Sequence, residues 1–178
     1  YFLTSHYPPN LNCCKYPYKK MIETYTQPFT FIHIGKTGGS TVGSFLKKDL
    51  FIKEIHNRTP VYNPNTKFII WIRDPIKRFI SAFYWSKHRC SCKNNVEEHC
   101  LQFNCNKEEE EVINKYETVN EISNKLYDKN GNLVNEVVND IYKLNHTNTG
   151  HAWYLLHNDF IHKAKDNIIF VGTQENLQ

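Results

Sequence analysis

Four short runs of β-branched and aromatic residues punctuate the chain: FTFIHI at 29–34, LFIKEI at 50–55, FIIWI at 68–72 and IIFV at 168–171. The first, third and fourth contain no Asp, Glu, Lys or Arg, the pattern of strands buried on both faces of a parallel sheet. Between the runs the period changes. Val42, Phe45 and Leu46 open a helical pattern directly after the first run, and Asp74 followed by Pro75 marks a helix start after the third. Val112, Ile113, Tyr116, Val119, Ile122 and Leu126 predict a helix over 107–127. After a turn at Asn130-Gly131, Leu133, Val137, Val138, Ile141, Tyr142 and Leu144 predict another. Strands alternating with helices predict an α/β fold, with a central, mostly parallel sheet flanked by helices. Residues 88–158 then form a helical, cysteine-bearing insert. Residues 1–26, which hold prolines and tyrosines, read as an irregular arm over the sheet edge or as a partly ordered one.

At 178 residues, 40% hydrophobic and 14% aromatic, the chain can bury one sizeable core, and a single domain over 1–178 is expected. A net charge of +4 admits an anionic ligand without demanding a polyanion. Aromatic residues interleave with lysines near the N-terminus, but no recognised binding module accompanies them, so no nucleic-acid partner is expected. No run approaches the ~20 apolar residues of a membrane span. The sequence starts at Tyr1, so membrane attachment is expected only through an anchor already removed.

The turn after the first strand carries the chemistry. Gly35, Lys36, Thr37, Gly38, Gly39, Ser40 and Thr41 join a buried strand to a helix start. Glycines allow close backbone approach to a ligand, free N–H groups at the helix N-terminus favour an anion, and Lys36 adds a full positive charge. A nucleoside-triphosphate P-loop would need glycine at position 30, where the chain has Thr30. A kinase or NTPase reading is therefore disfavoured. The second segment, KFIIWIRDPIKRFISAFYWSK at 67–87, places Arg73 at the end of a strand, where it can grip phosphate bidentately, and Ser81 on the following helix as a further donor.

Together these segments resemble sulfotransferases that use 3′-phosphoadenosine 5′-phosphosulfate (PAPS), in particular Golgi carbohydrate sulfotransferases of the heparan sulfate 6-O and 2-O type. His33 to Thr41 follows the family's 5′-phosphosulfate loop, H-I-x-K-T-G-G-[ST]-T, with Gly35 where many members have another residue. Arg73, Asp74, Pro75, Arg78, Phe79 and Ser81 follow its 3′-phosphate motif, R-D-P-x-x-R-[FY]-x-S. The resemblance implies a three-layer, P-loop-like sulfotransferase fold. It implies PAPS as sulfuryl donor, held by Gly35, Lys36, Thr37, Gly38, Gly39, Ser40, Thr41, Arg73 and Ser81. It further implies a glycan or other hydroxyl acceptor and no required metal. A non-catalytic relative that retains the anion site is the alternative.

A general base completes the chemistry. His56 ends the second strand, outside whose carboxyl end ligands of open α/β sheets sit, and histidine titrates near neutrality. It is the first candidate, with Glu54 as a fallback carboxylate or as a group that orients the ring; a surface histidine at a loop start is the plainer reading. His151 is the second candidate. It lies in a segment (His146, Gly150, Tyr154, Leu155) similar to the family's H-x-x-x-G-x-x-x-Y-L, expected on the acceptor side. Val171, Gly172 and Glu175 follow the family's V-G-x-x-E.

Cys90, Cys92, Cys100 and Cys105, with His88 and His99, raise a zinc reading, but the spacing lacks the paired short-spaced ligands of zinc ribbons. Disulfides that pin a loop are favoured, and with Cys13 and Cys14 the total is an even six. They imply the Golgi lumen or secretion; reduced cysteines would imply a cytosolic protein. Of two glycosylation sequons, Asn145-His146-Thr147 is expected to be the acceptor, since a glycan on Asn57 would crowd His56. The acidic run at 108–111 reads as a solvated helix start. The last strand lacks a covering helix, so either a compact version or a missing C-terminal portion is expected.

Overall fold

The computed structural model describes residues 29–49, 52–92 and 105–176. Within them β1 (Phe29–His33), β2 (Ile52–Ile55), β3 (Lys67–Ile72) and β4 (Ile168–Thr173) form one sheet, parallel at every pairing, in the order β2-β1-β3-β4. The expected α/β architecture is present. All five residues of β1 are buried, as a chargeless central strand requires. The arm at 1–26, positions 50 and 51, and Cys13, Cys14 and Cys100 lie outside the described residues.

Strand alternation sends side chains to two helical layers. Phe29, Phe31 and Ile69 pack on Val42 and Leu46 of α1 (Gly39–Asp49). Ile32, Ile34, Ile55, Phe68 and Ile70 pack on Tyr154 of α6 (His151–Leu155) and on Phe160 and Ala164 of α7 (Phe160–Ala164). The insert has a core of its own. Phe83 and Cys90 of α2 (Pro75–Cys92) meet α3 (Lys107–Lys115), α4 (Val119–Lys125) and α5 (Asn135–Lys143) through Val112, Ile113, Tyr116, Ile122, Val137 and Leu144.

Two expectations are corrected here. The helix expected over 107–127 is two helices, because Tyr116 is extended (φ −127°) and Thr118 restarts the chain as an N-cap, its side chain accepting the Glu121 N–H at 3.3 Å. The Thr-x-x-Glu spacing is the signal for that break. Nor is the acidic run wholly solvated: Glu109 is 1% exposed, paired with Arg89 at 3.2 Å and accepting the Asn145 N–H at 3.1 Å. A buried carboxylate is tolerated here because both its oxygens are engaged.

Cys90 and Cys105 form a disulfide that ties α2 to the entrance of α3. Both sulfurs are thereby removed from any zinc site, since metal ligation needs thiolates. The bond spans 15 residues, for which chain-entropy arguments give about 3 kcal/mol. The Cys90→Ser, Cys105→Ser variant is expected to lose about that much stability in urea denaturation.

Candidate active site

From β1 the chain runs outward to β2, then crosses back to β3 on the other side of β1. In such sheets the crevice beyond the carboxyl ends of the two strands flanking the reversal is the ligand site. Lys36 follows β1 and Arg73 follows β3. They meet: Arg73 Nη1 donates to the Lys36 carbonyl oxygen at 3.3 Å. Lys36 holds a left-handed backbone (φ 67°), and such strain in a non-glycine residue concentrates at functional sites. Its ammonium lies 4.2 Å above the Trp85 ring of α2. Burial, and secondarily the Arg73 charge, lower its pKa to about 8.

Orphaned polar atoms border the same loop. Arg73 Nε and Gln174 Oε1 are buried with no hydrogen-bond partner among the described residues, and the Gln174 side chain packs against Gly38. One needs an acceptor and the other a donor. A ligand with phosphate oxygens and a hydroxyl or amino group supplies both, and the lysine beside them favours negative charge.

Buried groups brace the loop from below. Arg78, 4% exposed, donates from Nε to the Gly35 carbonyl at 3.0 Å and from Nη2 to those of His146 (2.6 Å) and Thr149 (2.5 Å). The buried Thr37 hydroxyl donates to the Ile34 carbonyl at 2.7 Å, so it serves the turn's own geometry. A Cβ on Gly35 would lie 2.4 Å from His146 Nδ1, and one on Gly39 2.0 Å from His33 Cδ2. These two glycines are thus required by imidazoles packed against the backbone, a reason beyond the expected approach of a ligand. His146 and Tyr154, expected on the acceptor side, are instead buried beneath the loop. Burial first, then Lys36, His56, Arg78 and Arg89, drive the His146 pKa down to about 3. The ring is neutral at physiological pH.

His56 follows β2, and its Nδ1 lies 3.0 Å from the His33 carbonyl oxygen. A carbonyl only accepts, so Nδ1 carries the hydrogen and Nε2 keeps the lone pair, the form a general base needs. The ring stacks on that of His33 at 4.0 Å and lies 5.8 Å from His146. Glu54, expected to orient His56, bonds His33 Nδ1 instead at 2.6 Å; it pairs in register with Phe31, on whose face of β1 His33 also lies. His151 Nε2 accepts the Arg73 backbone N–H at 3.5 Å. Burial, then Arg78, lower the His151 pKa. Its Nε2 is engaged by the Arg73 N–H, which leaves His56 as the better candidate for a base.

Ser40 and Thr41 are exposed in the first turn of α1, and Ser81 is half-buried on α2. Arg78, Ser81 and Trp85 recur at i, i+3 and i+7, one stripe of that helix. Trp85 and the His33–Glu54 pair were not singled out from sequence, although the stripe could have pointed to Trp85.

No protein-family model, curated protein or solved structure matches this chain. The site's chemistry therefore rests on its own geometry. A cavity of about 410 Å³ lies elsewhere, along the loop from β2 to β3, lined among others by Phe29, Lys53, Arg58 and Phe68 and by none of the residues of the glycine turn. Among the described residues no helix is long and apolar enough to cross a membrane.

Proposed function

We propose that the protein is a PAPS-dependent sulfotransferase of P-loop-like fold, transferring a sulfuryl group to a carbohydrate hydroxyl within an oxidising compartment such as the Golgi lumen. One observation carries the reading: Lys36 and Arg73, from the two motifs, converge on one crevice, so a single nucleotide with phosphates at both ends can be held by both. The disulfide is compatible with such a compartment.

In the reaction the acceptor oxygen attacks sulfur as the bond from sulfur to the 5′-phosphate oxygen breaks. The acceptor proton passes to His56 Nε2. Negative charge gathers on the departing phosphate, where the Lys36 ammonium and the N–H groups of residues 37–41 stabilise it. Arg73 and Ser81 hold the 3′-phosphate, and Trp85 and Arg78 keep the lysine and its loop in place. Catalysis is then positioning and electrostatics, as in phosphoryl transfer. The insert at 88–158 supplies the acceptor wall.

The test is a thermal shift with 3′-phosphoadenosine 5′-phosphate against ADP. At a concentration 100 times its Kd the first nucleotide should stabilise by about 2.7 kcal/mol. ADP, without a 3′-phosphate for Arg73, should stabilise far less; equal shifts would favour a nucleotide kinase. Replacing His56 by Ala should lower kcat by ~10²–10⁴ while leaving the nucleotide shift intact, which separates a base from a residue that merely packs. A binder without turnover would show the shift and no sulfation in either form.

A further inference from the structure

We propose that Asn57 is an N-glycosylation site, and that Asn145, in the other sequon, is not. The sequence alone favours the opposite assignment, because Asn57 directly follows the candidate base. The folded geometry removes that objection and supplies a reason for the reversal.

At Asn57 the chain turns sharply, with a left-handed φ of 57°. The His56 ring points inward, stacked on His33 and bonded to its carbonyl, whereas the Asn57 side chain is exposed. The turn is held through the backbone: the Asn57 N–H donates to the buried Tyr154 hydroxyl at 3.3 Å. The Asn57 carboxamide and the Thr59 hydroxyl make no hydrogen bond to the described residues, and Arg58 between them is exposed. A bulky, hydrophilic modification here displaces no hydrogen bond of the Asn57 side chain among the described residues.

The Asn145 sequon is built the other way. Its Asn N–H is tied to buried Glu109, His146 is buried at a left-handed φ of 66°, and the Thr147 hydroxyl donates to the carbonyls of Leu144 and Ile141. The tripeptide is a tight inward turn, and its closure competes with presentation of an extended Asn-x-Thr to a transferase. The same turn carries the ring that sits against Gly35. Such transfer takes place in oxidising compartments, with which the Cys90–Cys105 disulfide is compatible.

The co-substrate is an oligosaccharide on a lipid pyrophosphate. The Asn57 amide nitrogen forms a bond to the anomeric carbon of the first sugar, the bond from that carbon to the phosphate oxygen breaks, the lipid pyrophosphate leaves, and the amide gives up one proton. This inference does not depend on sulfuryl transfer.

The test is secretion of the full chain from a eukaryotic cell, then removal of N-glycans by peptide N-glycosidase and peptide mass spectrometry. Asn57 should be converted to Asp and Asn145 should not. Asn57→Gln and Thr59→Ala should each abolish the gel-mobility shift, while Thr59→Ser and Asn145→Gln retain it. A glycan on Asn145, or an unmodified Asn57 in secreted chains that carry the Cys90–Cys105 bond, would overturn the proposal.

Discussion

Replacing Lys36 by Ala should reduce PAPS-dependent sulfation on the order of 10²–10³-fold, the cost of removing one preorganised charge from a developing oxyanion. Folding should survive, because the ammonium is desolvated and has no acidic partner among the described residues, so it is no net support for the fold. Rate assays paired with a melting curve check both halves. A Gly at this position relieves the left-handed strain that Ala retains, so equal losses of turnover in the two variants would trace the effect to the charge rather than to the backbone.

The depressed lysine also makes binding sensitive to pH. With a pKa near 8 in the folded protein and 10.5 for the ordinary side chain, the unfolded chain holds more protons than the folded one between those values. This residue's burial therefore costs stability below pH 8, and the cost is relieved as pH rises through that window. An anionic nucleotide favours the charged form and raises the pKa again. Binding at pH 8.5 should therefore take up protons, seen as a dependence of calorimetric enthalpy on the buffer's ionisation heat, and the Lys36→Ala variant should lose it.

The second large effect belongs to Arg78. Replacement by Met should destabilise by about 3–5 kcal/mol, because three carbonyls, two of them in buried contacts, lose a charged donor at once. The melting temperature should fall by on the order of 10 °C. Lys is expected to rescue little: one ammonium cannot reproduce a planar fork that spans Gly35, His146 and Thr149. Urea denaturation gives the stability, and loss of the nucleotide-induced shift at temperatures where the variant is still folded gives the effect on the loop.

How far the sequence carries can be seen residue by residue. The parallel sheet was legible because chargeless runs such as 68–72 have few other uses, and the start of α2 because Asp74 and Pro75 are local signals; the Asp74 side chain accepts the Lys77 N–H at 2.8 Å as an N-cap should. The positions of Lys36, Arg73 and His56 followed from strand ends alone. What stayed hidden depends on contacts distant in sequence. Sequence proximity pairs Glu54 with the wrong histidine because its partner, His33, is 21 residues away across the sheet. The burial of His146 and Tyr154 is not legible in their motif, because a motif gives spacing and says nothing of depth. Glu109 looked solvated within an acidic run because Arg89 and Asn145 reach it from elements far along the chain.

One helix belongs to both halves of the molecule. Near its start α2 carries Arg78, which holds the glycine turn, then Trp85 under the lysine, and finally Cys90, locked into the insert's core. Displacing this helix would therefore disturb the lysine-bearing turn and the insert's core together.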